Sequence, residues 1–436
     1  GYLVIHDEMT PGAFFSFLLL PPDLPQYVDF SLHWDLSALP GGSRGASTRG
    51  TGDFATRIEA DEITTVFILA GELGGWESVD SALHVYWIGH PPFDAGRAAA
   101  WAAESLVALR HLFADPEERP YYLLMRPHRL PRDGGGATRN GFMLEYGTGS
   151  MSLASRQFMI THEMVHHFIG SLQGDTSATA WFGEGLAEYY KLDAPLRAGL
   201  ATPADHAAEL GTMTNAYYTS PYVDDPISDL APLRWVDRGA QAVPYNRGFM
   251  YFARLDAMLR SSSGGAHSLS DLVRDMLDSR RGGGGYDIDT WRELLRRHLG
   301  RRGTDELGGM LQGRLIVPPA DAFGPCLRRH HHRVSRPVLG FDEYSLLVAP
   351  RIVSGLKVGS AAYGAGLRDG DEILDFSGAR PRIAHSAPLV VLDPVLHLRF
   401  RHDAEIRDIA FSTRGPIVEE YYWTPRSPAP SGSCSR

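Results

Sequence analysis

Two histidines separated by three residues carry the strongest chemical signal in the sequence. In a helix, residues four positions apart lie on one face, so the side chains of His162 and His166 are predicted to be neighbours. Two imidazoles placed in this way can bind one zinc ion, and Glu163 then reaches a water molecule on the metal rather than the metal itself. The H-E-x-x-H pattern therefore predicts a zinc site with a general base beside it.

A catalytic zinc keeps three protein ligands and one open position, so a third ligand must come from another segment. We predict that Glu184 supplies it, because it begins a second apolar-periodic segment after 17 intervening residues from His166. The five-residue pattern alone could also be an ordinary helix with exposed charges. However, burying two histidines and two glutamates within one short stretch is costly unless they share a cation. A His/His/Glu zinc site is therefore the favoured interpretation.

The segment around the two histidines has the features of a helix with defined ends. Ser152 or Ser155 can cap its start, apolar residues recur along it, and Gly170 is expected to end it. His167 follows His166 directly but points about 100° around such a helix, so it is not expected to bind the metal. The run His330–His332 is predicted to be a polar linker flanked by arginines rather than a metal site.

Length and composition indicate a folded protein of several domains. The chain has 436 residues, of which 43% are hydrophobic and 22% charged, and two or three domains are expected. The net charge of -10, with no dominant basic stripe, argues against nucleic acid as the main partner. No apolar run reaches the length of a transmembrane helix, and the short run from Phe14 to Leu20 is predicted to be a strand.

Changes in the pattern of apolar and polar residues divide the chain into four parts. Residues 1–82 alternate in short strand-like runs, and residues 83–318 combine strands with longer helical segments. Residues 319–423 form a further unit, and residues 424–436, rich in proline and serine, are predicted to be disordered. The two cysteines, Cys326 and Cys434, could pair or remain thiols. Since the chain begins at Gly1, a targeting segment would lie outside it, and a periplasmic or secreted location is favoured over the cytoplasm.

These motifs resemble those of a known group of enzymes. The H-E-x-x-H motif together with E-G-x-x-x-Y at 184–189 is similar to the gluzincin zinc peptidases, which include thermolysin and the membrane-alanyl-type aminopeptidases. Residues 359–373 resemble the core of a PDZ domain, and Tyr245–Gly248 resembles the Y-x-K-G element that carries a catalytic tyrosine. The N-terminal strands are similar to the β domain of one branch, the glycyl aminopeptidases that contain a PDZ domain.

The resemblance implies a fold class, a cofactor and partners. The chain would be a multidomain α+β protein with an N-terminal β domain, a thermolysin-like and mainly helical zinc-peptidase domain, and a C-terminal PDZ-like domain. Its cofactor would be Zn²⁺ and its substrate a peptide or protein. The PDZ-like domain could bind a peptide ligand, or it could simply pack against the catalytic domain.

The resemblance also implies roles for single residues. Tyr245 would donate a hydrogen bond to the oxyanion, although it could instead be a core tyrosine, with Tyr251 as the second choice. Glu188 lies one helical turn after Glu184 and would accept a hydrogen bond from the first zinc histidine, His162. A solvated glutamate is the alternative for Glu188.

One departure from that branch affects the expected activity. Its members have a glutamate that binds the free amine of the substrate, whereas this chain has Ala137 at that place, after Gly135 and Gly136. These three residues are predicted to contact substrate, and Glu145 is an alternative anchor if the loop is shifted. The function that follows is zinc-dependent peptide hydrolysis by an aminopeptidase-like enzyme or by an endopeptidase of the same fold. The alternative from another class is a catalytically silent, zinc-containing peptide-binding protein with a PDZ-like domain.

Overall fold

The computed structural model describes residues 3–78, 81–116, 119–128, 133–147, 152–381, 390–427 and 434. These residues form two compact units, the first made by residues up to 170 and the second by residues from 171 onward. Among the described helices, none combines the length and hydrophobicity needed to cross a lipid bilayer.

The first unit contains most of the β structure. Its elements are β1 (Met9–Ala13), β2 (Tyr27–Leu32), β3 (Arg44–Ser47), β4 (Gly50–Thr51), β5 (Phe54–Glu59), α1 (Ala60–Ile63), β6 (Phe67–Gly71), β7 (Leu73–Ser78), β8 (Leu83–Ile88), α2 (Ala95–Phe113), β9 (Tyr121–Pro127), β10 (Gly134–Thr138), β11 (Gly141–Tyr146) and α3 (Leu153–Ile169). They form a four-stranded sheet in the order β1-β6-β3-β4, a β2-β5 pair, and a five-stranded sheet in the order β10-β11-β9-β8-β7.

The five-stranded sheet is the frame that holds α3. Its central strands β8, β9 and β11 are parallel to one another and almost continuously buried, as expected for strands covered on both faces. The four-stranded sheet shares an apolar core with it. Helices α2 and α3 pack on each other, with the Trp101 indole nitrogen donating to the Thr161 hydroxyl at 3.0 Å. The combination of strands and helical segments predicted from residue 83 onward is confirmed here, and β7 and β8 form an antiparallel pair.

The run from Phe14 to Leu20 is not the strand that we predicted. Strand β1 ends at Ala13, and Phe14–Ser16 form a 3₁₀ turn. The rings of Phe14 and Phe17 pack against each other, with their centroids 5.4 Å apart. Residues three apart on a straight strand point to opposite faces, so this aromatic contact requires the chain to turn.

The second unit is helical up to about residue 311 and then returns to β structure. Its elements are α4 (Thr176–Arg197), α5 (Pro203–Tyr218), α6 (Ile227–Leu230), α7 (Arg238–Ser263), α8 (Leu269–Arg281), α9 (Ile288–Leu299), α10 (Arg301–Leu311), β12 (Leu327–Pro337), α11 (Tyr344–Leu347), α12 (Ala361–Gly364), β13 (Glu372–Pro381), β14 (Val390–His402), β15 (Glu405–Ser412) and β16 (Arg414–Pro425). A 3₁₀ turn, Ala231–Leu233, links α6 towards α7.

Helices α4 and α7 cross at two glycines. A Cβ atom added to Gly248 would lie 2.5 Å from the Trp181 carbonyl oxygen and 2.7 Å from the Cα of Gly185. Both of these atoms belong to the backbone, so no side-chain rotation could relieve the overlap. The close approach brings the turn of α4 that contains Glu184 alongside the turn of α7 that contains Tyr245.

We predict that Gly248→Ala destabilises the protein by about 1–3 kcal/mol, because the two helix backbones must move apart. The matched control is Gly211→Ala in the interior of α5, where an added Cβ meets no atom within 4 Å. That control should be neutral or stabilising by about 0.4–1 kcal/mol, since alanine restricts the unfolded chain. Denaturant unfolding followed by circular dichroism measures both variants. Equal midpoints for the two would contradict the close packing of α4 and α7.

The C-terminal part of the second unit has its own small core. Strands β13, β14 and β15 form an antiparallel sheet. Leu396, Leu398 and Phe400 alternate with polar residues along β14 and face inward. The short helix α12 and the start of strand β13 lie within residues 359–373, the segment that resembles a PDZ core.

Strands β12 and β16 form a separate ribbon that packs on α5. The run His330–His332 belongs to β12, so the prediction of a linker there is wrong. These histidines are paired across the ribbon, for example His332 Nε2 with Glu420 Oε2 at 2.9 Å. Cys326 and Cys434 form a disulfide. Thr424 and Pro425 lie in β16, and most of the predicted disordered tail falls outside the described residues.

Candidate metal centre

Helix α3 brings the imidazole rings of His162 and His166 close together. Ser152 caps the helix by accepting a hydrogen bond from the Ser155 amide at 3.1 Å, and Gly170 ends it, as the sequence indicated. The Nε2 atoms of His162 and His166 are 3.2 Å apart, and their rings meet edge to face. His162 is buried and His166 is partly buried. Two imidazole nitrogens that face each other across one helical turn form half of a zinc site.

Glu163 lies beside the first histidine in a largely dry environment. Only 5% of the surface of Glu163 is exposed to solvent. Burial, together with the negative charge of Glu163, raises the pKa of the nearby Tyr121 hydroxyl well above its usual value. A carboxylate in such surroundings is well suited to exchange a proton with a single adjacent water molecule.

Helix α4 carries the two glutamates that the second motif singled out. Glu184 is partly buried, whereas Glu188, one turn later, is fully buried. Lys191 Nζ lies 2.8 Å from Glu188 Oε2 and 2.8 Å from Glu209 Oε1. Burial disfavours the charged ammonium of Lys191, but the two carboxylates outweigh it and raise its pKa. Glu188 therefore belongs to a buried ion-pair network and is not a solvated glutamate.

Three of the predicted residues form a group that could bind a metal ion. One ligand atom from each of His162, His166 and Glu184 lies within 4.8 Å of the other two. In the part of the chain that the structure describes, no other group of three histidine, cysteine or acidic residues satisfies this criterion. Two imidazoles with one carboxylate are a donor set typical of catalytic zinc.

The two candidate tyrosines differ in burial, and Tyr245 is the more exposed of them. It is half-buried on α7, three residues before the crossing at Gly248. Tyr251 is fully buried, and its hydroxyl accepts a hydrogen bond from the Trp291 indole nitrogen at 3.2 Å. Burial raises the pKa of the Tyr251 hydroxyl. The second choice, Tyr251, is therefore a core residue.

The glycine-rich segment forms β10, the outer strand of the five-stranded sheet. Gly135, Gly136 and Ala137 pair with β11, and no described strand pairs with the opposite edge of β10. A Cβ atom added to Gly135 would lie 2.2 Å from the Met143 carbonyl oxygen, so only glycine fits there. An open strand edge is one of the standard surfaces on which an extended peptide adds a further strand.

Glu145 is not in place to act as the alternative amine anchor. It lies on β11, opposite Gly134, and is buried. Its carboxylate forms an ion pair with Arg126 and lies 3.6 Å from His128 Nε2. Because Glu145 is already paired with a buried cation, it is not available to bind the free amine of a substrate, even if the loop is shifted.

His167 has a structural role in the first unit. Its Nδ1 donates a hydrogen bond to the carbonyl of Arg139, in the turn that joins β10 to β11. Burial lowers the pKa of the ring. His167 thus ties the hairpin of β10 and β11 to α3 and points away from its neighbour His166, in agreement with the predicted direction.

Two positively charged residues contact Glu184 and Glu188, and neither could be predicted from the sequence. One is Lys191, and the other is Arg234, whose Nη2 lies 3.4 Å from Glu184 Oε1. Arg234 follows Glu184 by 50 residues, so no local spacing could have identified it.

No protein-family model matches this sequence, and no curated protein matches it. Among solved structures, an aminopeptidase N family protein from Idiomarina loihiensis aligns with 97% of this chain and 82% of its own, at 16% identity and a TM-score of 0.69. An M1 zinc metallopeptidase from Deinococcus radiodurans aligns over 72% of each chain, at 16% identity and a TM-score of 0.47. Leukotriene A4 hydrolase from Saccharomyces cerevisiae covers 63% of this chain and 45% of its own, at 16% identity and a TM-score of 0.43.

The likeness to the Idiomarina protein concerns the fold. It shows that this chain has the mixed α+β architecture of that protein, with an N-terminal β-sheet region followed by a helical region.

Proposed function

We propose that the protein is a zinc metallopeptidase in which His162, His166 and Glu184 bind the metal. The observation that carries this proposal is the approach of their three ligand atoms to within 4.8 Å, with Glu163 adjoining the first histidine. A structural zinc site requires neither a base at Glu163 nor a tyrosine at 245. The fold neighbour from Idiomarina is described as an aminopeptidase N family protein, which is consistent with this chemistry.

Each of the chain's own residues has a defined part in peptide hydrolysis. Bound zinc would lower the pKa of a coordinated water to about 7. Glu163 accepts a proton from the attacking water and later donates it to the departing amine. The hydroxyl of Tyr245 donates a hydrogen bond to the carbonyl oxygen as the carbon becomes tetrahedral. Glu188, paired with Lys191, accepts a hydrogen bond from the ring of His162 and fixes its tautomer.

The peptide substrate binds as an extended strand along the open edge of β10. Gly135, Gly136 and Ala137 then contact its backbone. Ala137 offers no carboxylate to a free amine, and Glu145 is occupied by Arg126. We therefore propose that the enzyme does not require a free N-terminus and can also cut as an endopeptidase.

We further propose that the C-terminal part is a PDZ-like domain of the kind found in one branch of the glycyl aminopeptidases. Two observations support this proposal: helix α12 and the start of strand β13 lie in the segment that resembles a PDZ core, and the sheet β13-β14-β15 has a core of its own. We assign residues 319–423 to this PDZ-like domain and propose a peptide as its ligand. The disulfide between Cys326 and Cys434 is typical of oxidising compartments, which favours a periplasmic or secreted location.

The proposed function is tested by digesting a peptide library with the purified chain, with free and with N-acetylated substrates. We expect both sets to be cut at comparable rates, because no carboxylate at position 137 selects for the amine. Mass spectrometry of the products locates the cut bonds, and metal analysis counts the zinc. Cleavage of free peptides alone would contradict the endopeptidase assignment. Stoichiometric zinc without any cleavage would instead support the silent, peptide-binding protein.

A further inference from the structure

Arg234 is held by three groups at once, one of which is a candidate zinc ligand. Its Nη2 lies 3.4 Å from Glu184 Oε1, and its Nη1 donates to the Thr176 carbonyl at 3.1 Å. The guanidinium carbon lies 4.9 Å from the ring centroid of Trp235. The Arg234 side chain is only 11% exposed, so it is an ordered cation at the edge of the helix that carries Glu184.

The backbone around Arg234 is fixed on both sides. Its own amide bonds to the Ala231 carbonyl at 3.4 Å, and the Asp237 amide bonds to the Leu233 carbonyl at 2.9 Å. Asp237 also caps α7 by accepting from the Ala240 amide at 3.0 Å. The guanidinium therefore reaches Glu184 from a rigid turn rather than from a mobile loop.

Trp235 is 73% exposed, which is unusual for so large an apolar side chain. Its ring covers one face of the Arg234 guanidinium. A flat cation stacked on an aromatic ring loses the freedom to swing into solvent. The exposed indole of Trp235 therefore helps to hold the side chain of Arg234.

We propose that Arg234 is the positioning residue of the metal ligand Glu184, and that Trp235 holds Arg234 in place. The inference rests on the proposed zinc site. A hydrogen bond from Arg234 to one carboxylate oxygen fixes the orientation of the Glu184 carboxylate. The positive charge of Arg234 would disfavour a metal ion nearby, and the negative charge of the Glu184 carboxylate would reduce that effect.

The test compares Arg234→Met with Arg238→Met in the full chain. Arg238 is a matched control, because it also stacks on an aromatic ring, that of Tyr344 at 5.6 Å, and hydrogen-bonds to Gln241. Zinc affinity is measured by competition with a chromophoric chelator. We expect Arg234→Met to weaken zinc binding about 10–100-fold and Arg238→Met to leave it unchanged.

Two further measurements separate positioning from folding. Arg234→Lys keeps the charge but not the planar fork, so it should fall between wild type and Arg234→Met in zinc affinity. The thermal midpoint of the metal-depleted protein should be the same for wild type and Arg234→Met. In cobalt-substituted protein, Arg234→Met should shift the visible absorption bands, since the Glu184 carboxylate is no longer held to one binding mode.

The possible outcomes distinguish this inference from the proposed function. Normal zinc affinity in Arg234→Met, when wild type binds zinc, would overturn the inference and leave the proposed function intact. An equal loss of affinity in Arg238→Met would also overturn it, because the effect would then not be specific to Glu184. Wild-type protein that binds no zinc would overturn both.

Discussion

Replacing Glu163 by glutamine is expected to lower the rate of peptide hydrolysis about 10²–10⁴-fold while zinc stays bound. Glutamine has nearly the same shape as glutamate, but its amide cannot take a proton from the attacking water or return one to the leaving amine. Glu163 is not among the three residues whose ligand atoms cluster, so the metal keeps all of its protein ligands. The measurement is kcat/KM on a cleaved library peptide, together with the zinc content of the purified variant.

The control for this experiment is Glu104→Gln on the exposed face of α2. It makes the same chemical change in the same unit, at a distance from the histidines along the chain, and should leave kcat/KM unchanged. Full activity of Glu163→Gln would contradict the role of Glu163 as general base. Loss of activity in both variants would point to damage of the fold rather than to the chemistry.

Removal of the metal is expected to have an even larger effect. Chelation should reduce hydrolysis to background, and added zinc should restore it, because the water then loses the cation that makes it acidic at neutral pH. His166→Ala should behave like the chelated protein, since one of three protein ligands is missing. Zinc content and kcat/KM, measured before and after dialysis against zinc, test both statements.

His167→Ala is the matched control for the ligand, because it removes the neighbouring imidazole from the same helix. Its ring donates a hydrogen bond to the Arg139 carbonyl and is not part of the candidate metal-binding group. The variant should therefore retain stoichiometric zinc. Its activity can still fall, since the hairpin of β10 and β11 loses its tie to α3. If His167→Ala lost zinc while His166→Ala kept it, the assignment of the ligands would be wrong.

Several features of the site follow from local sequence alone. The four-residue spacing of His162 and His166, a serine at the start and a glycine at the end specify α3 and the shared direction of the two rings. The alternation of Leu396, Leu398 and Phe400 likewise specifies which face of β14 is buried. These predictions succeed because helix and strand periodicities connect residues only a few positions apart.

Other predictions failed where a contact between distant segments overrode the local pattern. The histidine run 330–332 looks like a linker, but pairing with β16, about 90 residues later, makes it a strand. Tyr251 is a core residue because it packs against Trp181 and bonds to Trp291, which are 70 residues before it and 40 residues after it. Composition and spacing cannot predict such partners, since the contacts depend on how distant segments pack.

The sequence by itself therefore determined the donor types of the candidate site, the helix that presents two of them and the base beside them. Only the tertiary structure decided what surrounds Glu184: the glycine contact that brings α4 against α7, and the guanidinium of Arg234 on its carboxylate. The physical reason is that periodicity acts along the chain, whereas close packing and ion pairing act through space between residues that the chain order keeps apart.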